Sequence, residues 1–232
     1  LQDLHGEMVD ASGLRALEIF YGDDFSEENF FESTLPHVVS LALALPELCS
    51  HPIPLLEQRR AGVVELPRTA AASLVANMFL CNFKPPAGGL AYRRDHMPRG
   101  DFSRLLGNSK ESGVAKLRMF IHYFERLQSA GSGEPRGTLQ IRRTVVDDPP
   151  NWLRSAAPLR ALRTEASGIE TSAGCLQVDF ANEFIGGGVL GSGCVQEEIK
   201  FAVCPELCVS MLICQSMLAE TQEHSVSEAI VL

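Results

Sequence analysis

The sequence predicts an α+β chain: a helical region over residues 1–137, then a short α/β unit over 138–232. Three observations carry that division. Apolar residues recur at helical spacing in three stretches before residue 130. Helix breakers crowd Ser129–Gly137 (SAGSGEPRG), and a β-branched run follows at once. After that run the order reads strand, glycine loop, helix, strand, which is the grammar of an α/β domain.

Each element has its own signal. Leu35, Val38, Val39, Leu41, Ala42, Leu45 and Leu48 form a stripe close to the 3.6-residue period, and Thr34 before Pro36 marks a helix start. Thr69–Phe83 is a second helix, with Leu74, Met78, Phe79, Leu80 and Cys81 on a broad apolar face. The turn residues KPPAGG (Lys84–Gly89) end it. Lys116–Leu127 is a third, with Leu117, Phe120, Ile121, Phe124 and Leu127 inward and Arg118, Glu125 and Arg126 outward. Thr138–Val146 reads as a strand, and DDPPNW (Asp147–Trp152) as a loop, because successive prolines stop a helix. Leu159–Ile169 is expected to hold a strand. Gly174–Phe180 is a better one, since Leu176, Val178 and Phe180 alternate with Cys175, Gln177 and Asp179. Gln196–Leu218 reads as an apolar helix, and the last residues of the chain as the start of a strand.

Composition excludes several classes of function. The chain has 232 residues, 45% of them hydrophobic and 21% charged, enough for a core and one or two domains. Twenty basic residues against 29 acidic ones leave a net charge of −9, without the basic footprint of a general nucleic-acid binder. A phosphorylated ligand stays compatible if backbone N–H groups hold its phosphates. The longest apolar stretch, Val38–Leu45, lies between Pro36 and Pro46 and is too short to span a bilayer. The seven cysteines (49, 81, 175, 194, 204, 208 and 214) are an odd number in apolar context, expected to be buried thiols of a reducing compartment. Cys204, Cys208 and Cys214 lack a second ligand pair at zinc-like spacing, so no metal is expected. The six histidines are scattered and form no constellation. The chain opens at Leu1 without a Met or a charged-then-apolar leader, so no secretory signal is expected.

Chemistry concentrates in Asp179–Glu198, DFANEFIGGGVLGSGCVQEE. Gly186, Gly187 and Gly188 permit positive φ and close approach of backbone to a ligand, and Gly191 and Gly193 follow within five residues. The spacing is neither G-x-G-x-x-G nor a loop ending in G-K-[ST], so Rossmann and P-loop readings fail. Gln196-Glu197-Glu198 stands next. It reads either as a solvated acidic first turn of a helix or as an acid pair beside a phosphate-cradling loop. Glycoside cleavage needs a carboxylic acid to protonate the leaving oxygen and then a carboxylate to activate water. Neighbours on a helix point about 100° apart, so two adjacent Glu serve different roles.

The run VDFANEFIGGGVLGSGCVQEEIKFAVCPEL resembles the signature of the poly(ADP-ribose) glycohydrolases: three glycines, six to eight residues, then Gln-Glu-Glu. Here the spacer Val189–Val195 has seven residues. Upstream, FFESTLPHVVSLALALPELCSHPIPLL, SLVANMFLCNF and FSRLLGNSKESGVAKLRMFIHYFERL resemble the family's helical accessory region, so the likeness spans most of residues 29–218. It implies an all-helical accessory region followed by a macrodomain-like three-layer α/β/α domain, here incomplete. It also implies hydrolysis of ribose–ribose O-glycosidic bonds without metal or other cofactor.

By the same resemblance Glu198 is the acid/base, Glu197 binds ribose hydroxyls, and Gln196 supports the loop. Asp179 and Asn182 line the site near the distal ribose, Gly186, Gly187 and Gly188 wrap the diphosphate, and Ile169 and Glu170 contact adenine. The implied partners are poly(ADP-ribose), ADP-ribose and poly(ADP-ribosyl)ated proteins, with no membrane and no direct DNA contact, in nucleus or cytoplasm. Family sequences continue with a further phosphate-binding loop, an adenine-covering aromatic and more strands. The expectation is therefore a C-terminally truncated member with an incomplete site. Two other readings compete: a non-catalytic ADP-ribose-binding module, and a fragment that does not fold alone. Glu198 favours the enzyme, because a pure reader has no need of that carboxylate.

Overall fold

The computed structural model describes residues 14–22, 30–83, 96–130, 136–147, 151–172, 174–217 and 227–232. Helix α1 (Arg15–Gly22) buries Ala16 and Phe20, and the Arg118 guanidinium stacks on the Phe20 ring at 5.5 Å. A π-helical turn (Phe30–Thr34) runs directly into α2 (Leu35–Leu43), and α3 (Leu45–Leu48) follows after a kink at Ala44. The predicted Leu35–Leu48 helix is thus two pieces, broken at Ala44, because Pro46 has no N–H to give the Ala42 carbonyl and its ring crowds that group.

Strand β1 (Gly62–Pro67) has no counterpart in the sequence reading, which expects only helices before residue 137. Val64 and Leu66 point inward and their neighbours outward, the period-2 pattern of a half-buried strand. Helix α4 (Arg68–Phe79) starts where β1 ends, and everything from Ala70 to Phe79 is buried. Such an all-round buried helix needs small residues and satisfied polar ones. Four alanines meet the first need. Ser73 Oγ donates to Leu41 O (2.6 Å), and Asn77 Nδ2 donates to Ala42 O (3.1 Å) and Ser73 O (2.9 Å), which stitches α4 to α2.

The short α5 (Ser103–Leu106) and the long α6 (Glu111–Ser129) complete the helical region. Phe102 and Phe120 meet edge-on at 4.6 Å, Phe79 and Phe124 at 5.4 Å, and Phe79 also leans on Phe102. The α6 stripe (Val114, Leu117, Phe120, Ile121, Phe124) faces inward as its spacing predicts. The turn residues Lys84–Gly89 lie outside the described residues.

Strand β2 (Thr138–Val146) confirms the predicted β-branched strand and is the centre of a three-stranded antiparallel sheet, β1-β2-β3, with β3 at Ser227–Val231. Gly62 pairs with Arg143 and Pro67 with Thr138, while Arg142 pairs with Val231 and Val146 with Ser227. Arg143 is on the inward face and 1% exposed. Its guanidinium donates to Leu56 O (3.1 Å), Gln215 O (2.5 Å) and Ser216 O (3.2 Å), so the buried charge is met by carbonyl dipoles.

Two predicted strands are absent among the described residues. Leu159–Gly168 forms no regular element and is exposed, with Leu159 at 95% and Leu162 at 91%, and Ile169 opens a 3-10 turn. Gly174–Phe180 carries the alternating pattern but pairs with no strand, and Leu176, Val178 and Phe180 are all exposed. Alternation supplies a face, while a strand also requires a neighbour for its backbone groups. The predicted Gln196–Leu218 helix is three shorter pieces: α7 (Gln196–Val203), a 3-10 stretch (Pro205–Val209) and α8 (Ser210–Ile213). Pro205 forces Cys204 out of the helical region, to φ −120° and ψ 72°. Arg68 locks the 3-10 stretch to the helical region through a two-pronged pair with Glu206 (2.8 and 2.9 Å), and Tyr123 donates to the same carboxylate (3.2 Å). Cys208 and Cys214 are buried there, whereas Cys175 and Cys194 are exposed, against the expectation that all the thiols are interior.

Candidate active site

Helix α7 begins after Val195, and its first turn consists of Gln196, Glu197 and Glu198. A helix N-terminus leaves backbone N–H groups unsatisfied and favours negative charge. Both glutamates nevertheless turn back toward the chain that precedes them. Glu197 accepts from the Asn182 N–H (3.0 Å) and the Gly186 N–H (2.7 Å). Glu198 accepts from the Gly188 N–H (2.8 Å) and the Val195 N–H (2.9 Å). The last contact is half of a capping box; the other half is absent because valine offers no acceptor. Glu197 is 2% exposed and Glu198 6%. The bland reading, a solvated acidic turn, is thereby excluded.

The glycines are needed because the carboxylates lie against them. Gly187 has φ +51°, and a Cβ there would stand 2.5 Å from Glu198 Oε1 and 2.7 Å from Glu197 Oε2. At Gly193 it would stand 2.6 Å from Glu198 Oε1. Any side chain at either position displaces the acid pair.

The expectation that the three glycine N–H groups are presented to a pyrophosphate meets a different arrangement here. Gly186 donates to Glu197, Gly187 to Phe184 O (3.0 Å) and Gly188 to Glu198. The nearest anions to this nest of N–H groups are the chain's own carboxylates, and they occupy it.

The environments push the two acids apart. Burial raises the Glu197 pKa to about 7; the Asn182 and Gly186 N–H groups offset part of that, and the charges of Asp179 and Glu198 add to it. Burial also raises Glu198. There the N–H groups of Gly188, Val195 and Glu198 itself, with the Lys116 charge, outweigh it and hold the group below the ordinary glutamate range. Asp179 is raised by burial and by the Glu198 charge, the Phe180 N–H opposing. Its Oδ1 is buried without a hydrogen-bond partner.

The remaining predicted residues take supporting positions. Gln196 uses both ends of its amide on the Gly174–Phe180 segment, accepting from the Phe180 N–H (3.0 Å) and donating to Val178 O (3.2 Å), as a neighbouring strand would. Asn182 Oδ1 accepts from the Phe184 N–H (3.0 Å) and shapes the approach to the loop. Ile169 and Glu170 lie in a 3-10 turn, Ile169–Thr171, that joins the acid pair through no hydrogen bond among the described groups. That turn is tethered indirectly: Gln177 donates to Ser172 O (3.4 Å) and accepts from Lys200 Nζ of α7 (2.9 Å).

Two residues of the helical region were missed by sequence reasoning. Lys116 Nζ donates to Gly193 O (2.5 Å), Gly191 O (2.9 Å) and Gly188 O (3.3 Å), and Asn108 Nδ2 donates to Gly191 O (3.1 Å). Nothing local marks either one. Lys116 reads as an ordinary lysine of an amphipathic helix.

Comparison with known proteins gives the chain's family. Residues 23–143 match the family model described as Poly (ADP-ribose) glycohydrolase (PARG), helical domain, and residues 149–226 match the one described as Poly (ADP-ribose) glycohydrolase (PARG), Macro domain fold. The chain is 31% identical over 217 residues to poly(ADP-ribose) glycohydrolase 1 of Arabidopsis thaliana, covering 84% of this chain and 38% of that protein. It is 34% identical over 212 residues to poly(ADP-ribose) glycohydrolase 1 of Caenorhabditis elegans, covering 88% of this chain and 25% of that protein. The chain thus spans a quarter to two fifths of the length of these relatives. A matching helical domain, a matching macro-fold segment after it, and an acid pair wrapped by the triglycine loop place this chain in the poly(ADP-ribose) glycohydrolase family.

Proposed function

We propose that this chain carries the catalytic motif of an enzyme that hydrolyses the ribose–ribose O-glycosidic bonds of poly(ADP-ribose) and releases ADP-ribose. The observation that carries the reading is the pair Glu197 and Glu198: adjacent, buried, each held by two backbone N–H groups, and driven to opposite proton affinities. Opposite proton affinities give the two adjacent carboxylates different tasks, one exchanging a proton and the other holding sugar hydroxyls.

Glu198 is the acid/base. Once its proton has gone to the leaving ribose oxygen, its carboxylate stabilises positive charge at the anomeric carbon and takes a proton from the attacking water, which restores the acid. For the first half of the reaction it must carry a proton to the leaving ribose oxygen. A bound diphosphate and the exclusion of water both push its pKa upward, toward that state. Glu197 binds ribose hydroxyls, and the partnerless Asp179 Oδ1 is a further acceptor for the sugar. Asn182 and Gln196 shape the approach to the loop. Gly186, Gly187 and Gly188, having no side chains, offer the diphosphate close approach, with adenine toward Ile169 and Glu170. Poly(ADP-ribosyl)ated proteins are the partners this substrate implies.

The test is release of ADP-ribose from purified polymer by the 232-residue chain and by Glu198→Gln. Turnover that vanishes in the variant supports the hydrolase. A folded wild type that binds ADP-ribose without turnover converts the reading to a binding module.

A further inference from the structure

The geometry points to Lys116 as a positioning residue for Glu198, holding the far side of the loop that Glu198 rests on; this inference rests on the hydrolytic reading above.

Lys116 is 4% exposed, on the inward side of α6, and among the described residues no carboxylate forms an ion pair with its ammonium. Burying such a charge is costly unless every proton is used. Here Nζ donates to three acceptors, all carbonyls of one loop: Gly188, Gly191 and Gly193. The same loop touches Glu198 from its other side. Gly188 gives its N–H to Glu198 Oε1, and the Gly193 Cα lies so close that a Cβ would collide with the carboxylate. Gly188 O also accepts from the Gly191 and Gly193 N–H groups (2.9 and 3.1 Å), so one carbonyl gathers the loop and Lys116 caps it.

The helical region is shaped to make this contact. A Cβ on Gly113, one turn before Lys116, would overlap Asn108, which sits over that glycine and donates to Gly191 O beside the lysine. Asn108, Gly113 and Lys116 therefore form one seat for the loop. An amide or a methionine would fill the same volume without the cost of a buried charge, so the charge itself has a use. It reaches through the loop to Glu198 and favours the carboxylate form. The groups facing Lys116 are Cys194, Glu198 and Cys208; those facing the acid pair are Lys116 and Asp179.

Two readouts test the assignment in the 232-residue chain. The first is a 13C NMR titration of glutamate Cδ, with Glu198 assigned through Glu198→Gln. Lys116→Gln keeps hydrogen-bond donation and loses charge, and is expected to raise the Glu198 midpoint by about 1 unit. Lys116→Arg keeps the charge and is expected to leave it near the wild-type value. The second is turnover on polymer, where Lys116→Gln is expected to lower kcat about 100-fold, the scale of a small misplacement at a reacting centre, with KM little changed. An unmoved Glu198 midpoint in a folded Lys116→Gln chain, or a loss confined to KM, overturns the assignment. If Lys116→Gln does not fold, Asn108→Ala removes one loop contact without touching charge. It must then lower kcat with the Glu198 midpoint held, and an unchanged kcat counts against the assignment. A wild type without turnover defeats the hydrolytic reading alone, because the titration still decides whether Lys116 governs Glu198.

Discussion

The segments on either side of the acid pair are held in opposite ways. The described residues between 30 and 146 close a core in which α4 is buried on every side and the rings of Phe79, Phe102, Phe120 and Phe124 pack against one another. Residues 151–182 leave Leu153, Leu159, Leu162, Leu176, Val178 and Phe180 in water. The acid pair stands at the seam. Its loop and helix belong energetically to the helical region, through Lys116, Asn108 and the Arg68–Glu206 pair. The segment leading into it hangs on side-chain amides, chiefly Gln196 and Gln177. The acid pair is thus held firmly from the side of the helical region, while the segment on its other side stays exposed.

The contrast breaks first in the core. Phe120→Ala is expected to cost about 3–5 kcal/mol in a denaturant melt, by removing a ring that contacts Phe102 and leaving a cavity. A loss under 1 kcal/mol would mean that this core is looser than its aromatic packing implies. Next comes the seam: Gly187→Ala adds a left-handed backbone penalty to a collision with both carboxylates, roughly 2–4 kcal/mol, together with loss of turnover.

Acidity tests the seam without altering its volume. Glu197 titrates near 4.5 when exposed and at about 7 in the folded chain, so the folded state holds its proton more tightly across that interval. Stability from this group is therefore full below pH 4.5, falls by about 3 kcal/mol as pH rises through 7, and is level well above 7. Glu197→Gln should remove this slope. Glu198 acts in a different window with the opposite sign: its contribution is present above pH 4.5 and is lost only as pH falls through its depressed value. The smallest effect belongs to the open segment, where Leu162→Ser should stay within about 0.5 kcal/mol of wild type.

What could be read from sequence follows from how local each signal is. The stripes of α2, α4 and α6 were legible because one helix face carries its own pattern, and β2 because of its β-branched run. The acid pair was legible from a contiguous stretch of residues. β1 was missed because Gly62–Pro67 is six residues long and is made a strand by β2, more than seventy positions away. Leu176, Val178 and Phe180 misled for the converse reason: they alternate like a strand, yet the partner that would complete one is a side-chain amide. Pro205 was visible in the sequence, and its effect on Cys204 is what divides the expected long helix.

The capped carbonyl of Gly188 makes the motif a poor candidate for transplantation. Moved as a contiguous cassette from Asp179 to Glu198, it would leave behind the lysine that seats it, which lies 72 positions upstream. A host scaffold would have to offer a cation at the same spot or accept a loop free to drift from its glutamate. The smallest transferable unit therefore starts no later than Asn108, and a library designed around the glycines and acids alone would be sampling half of a device.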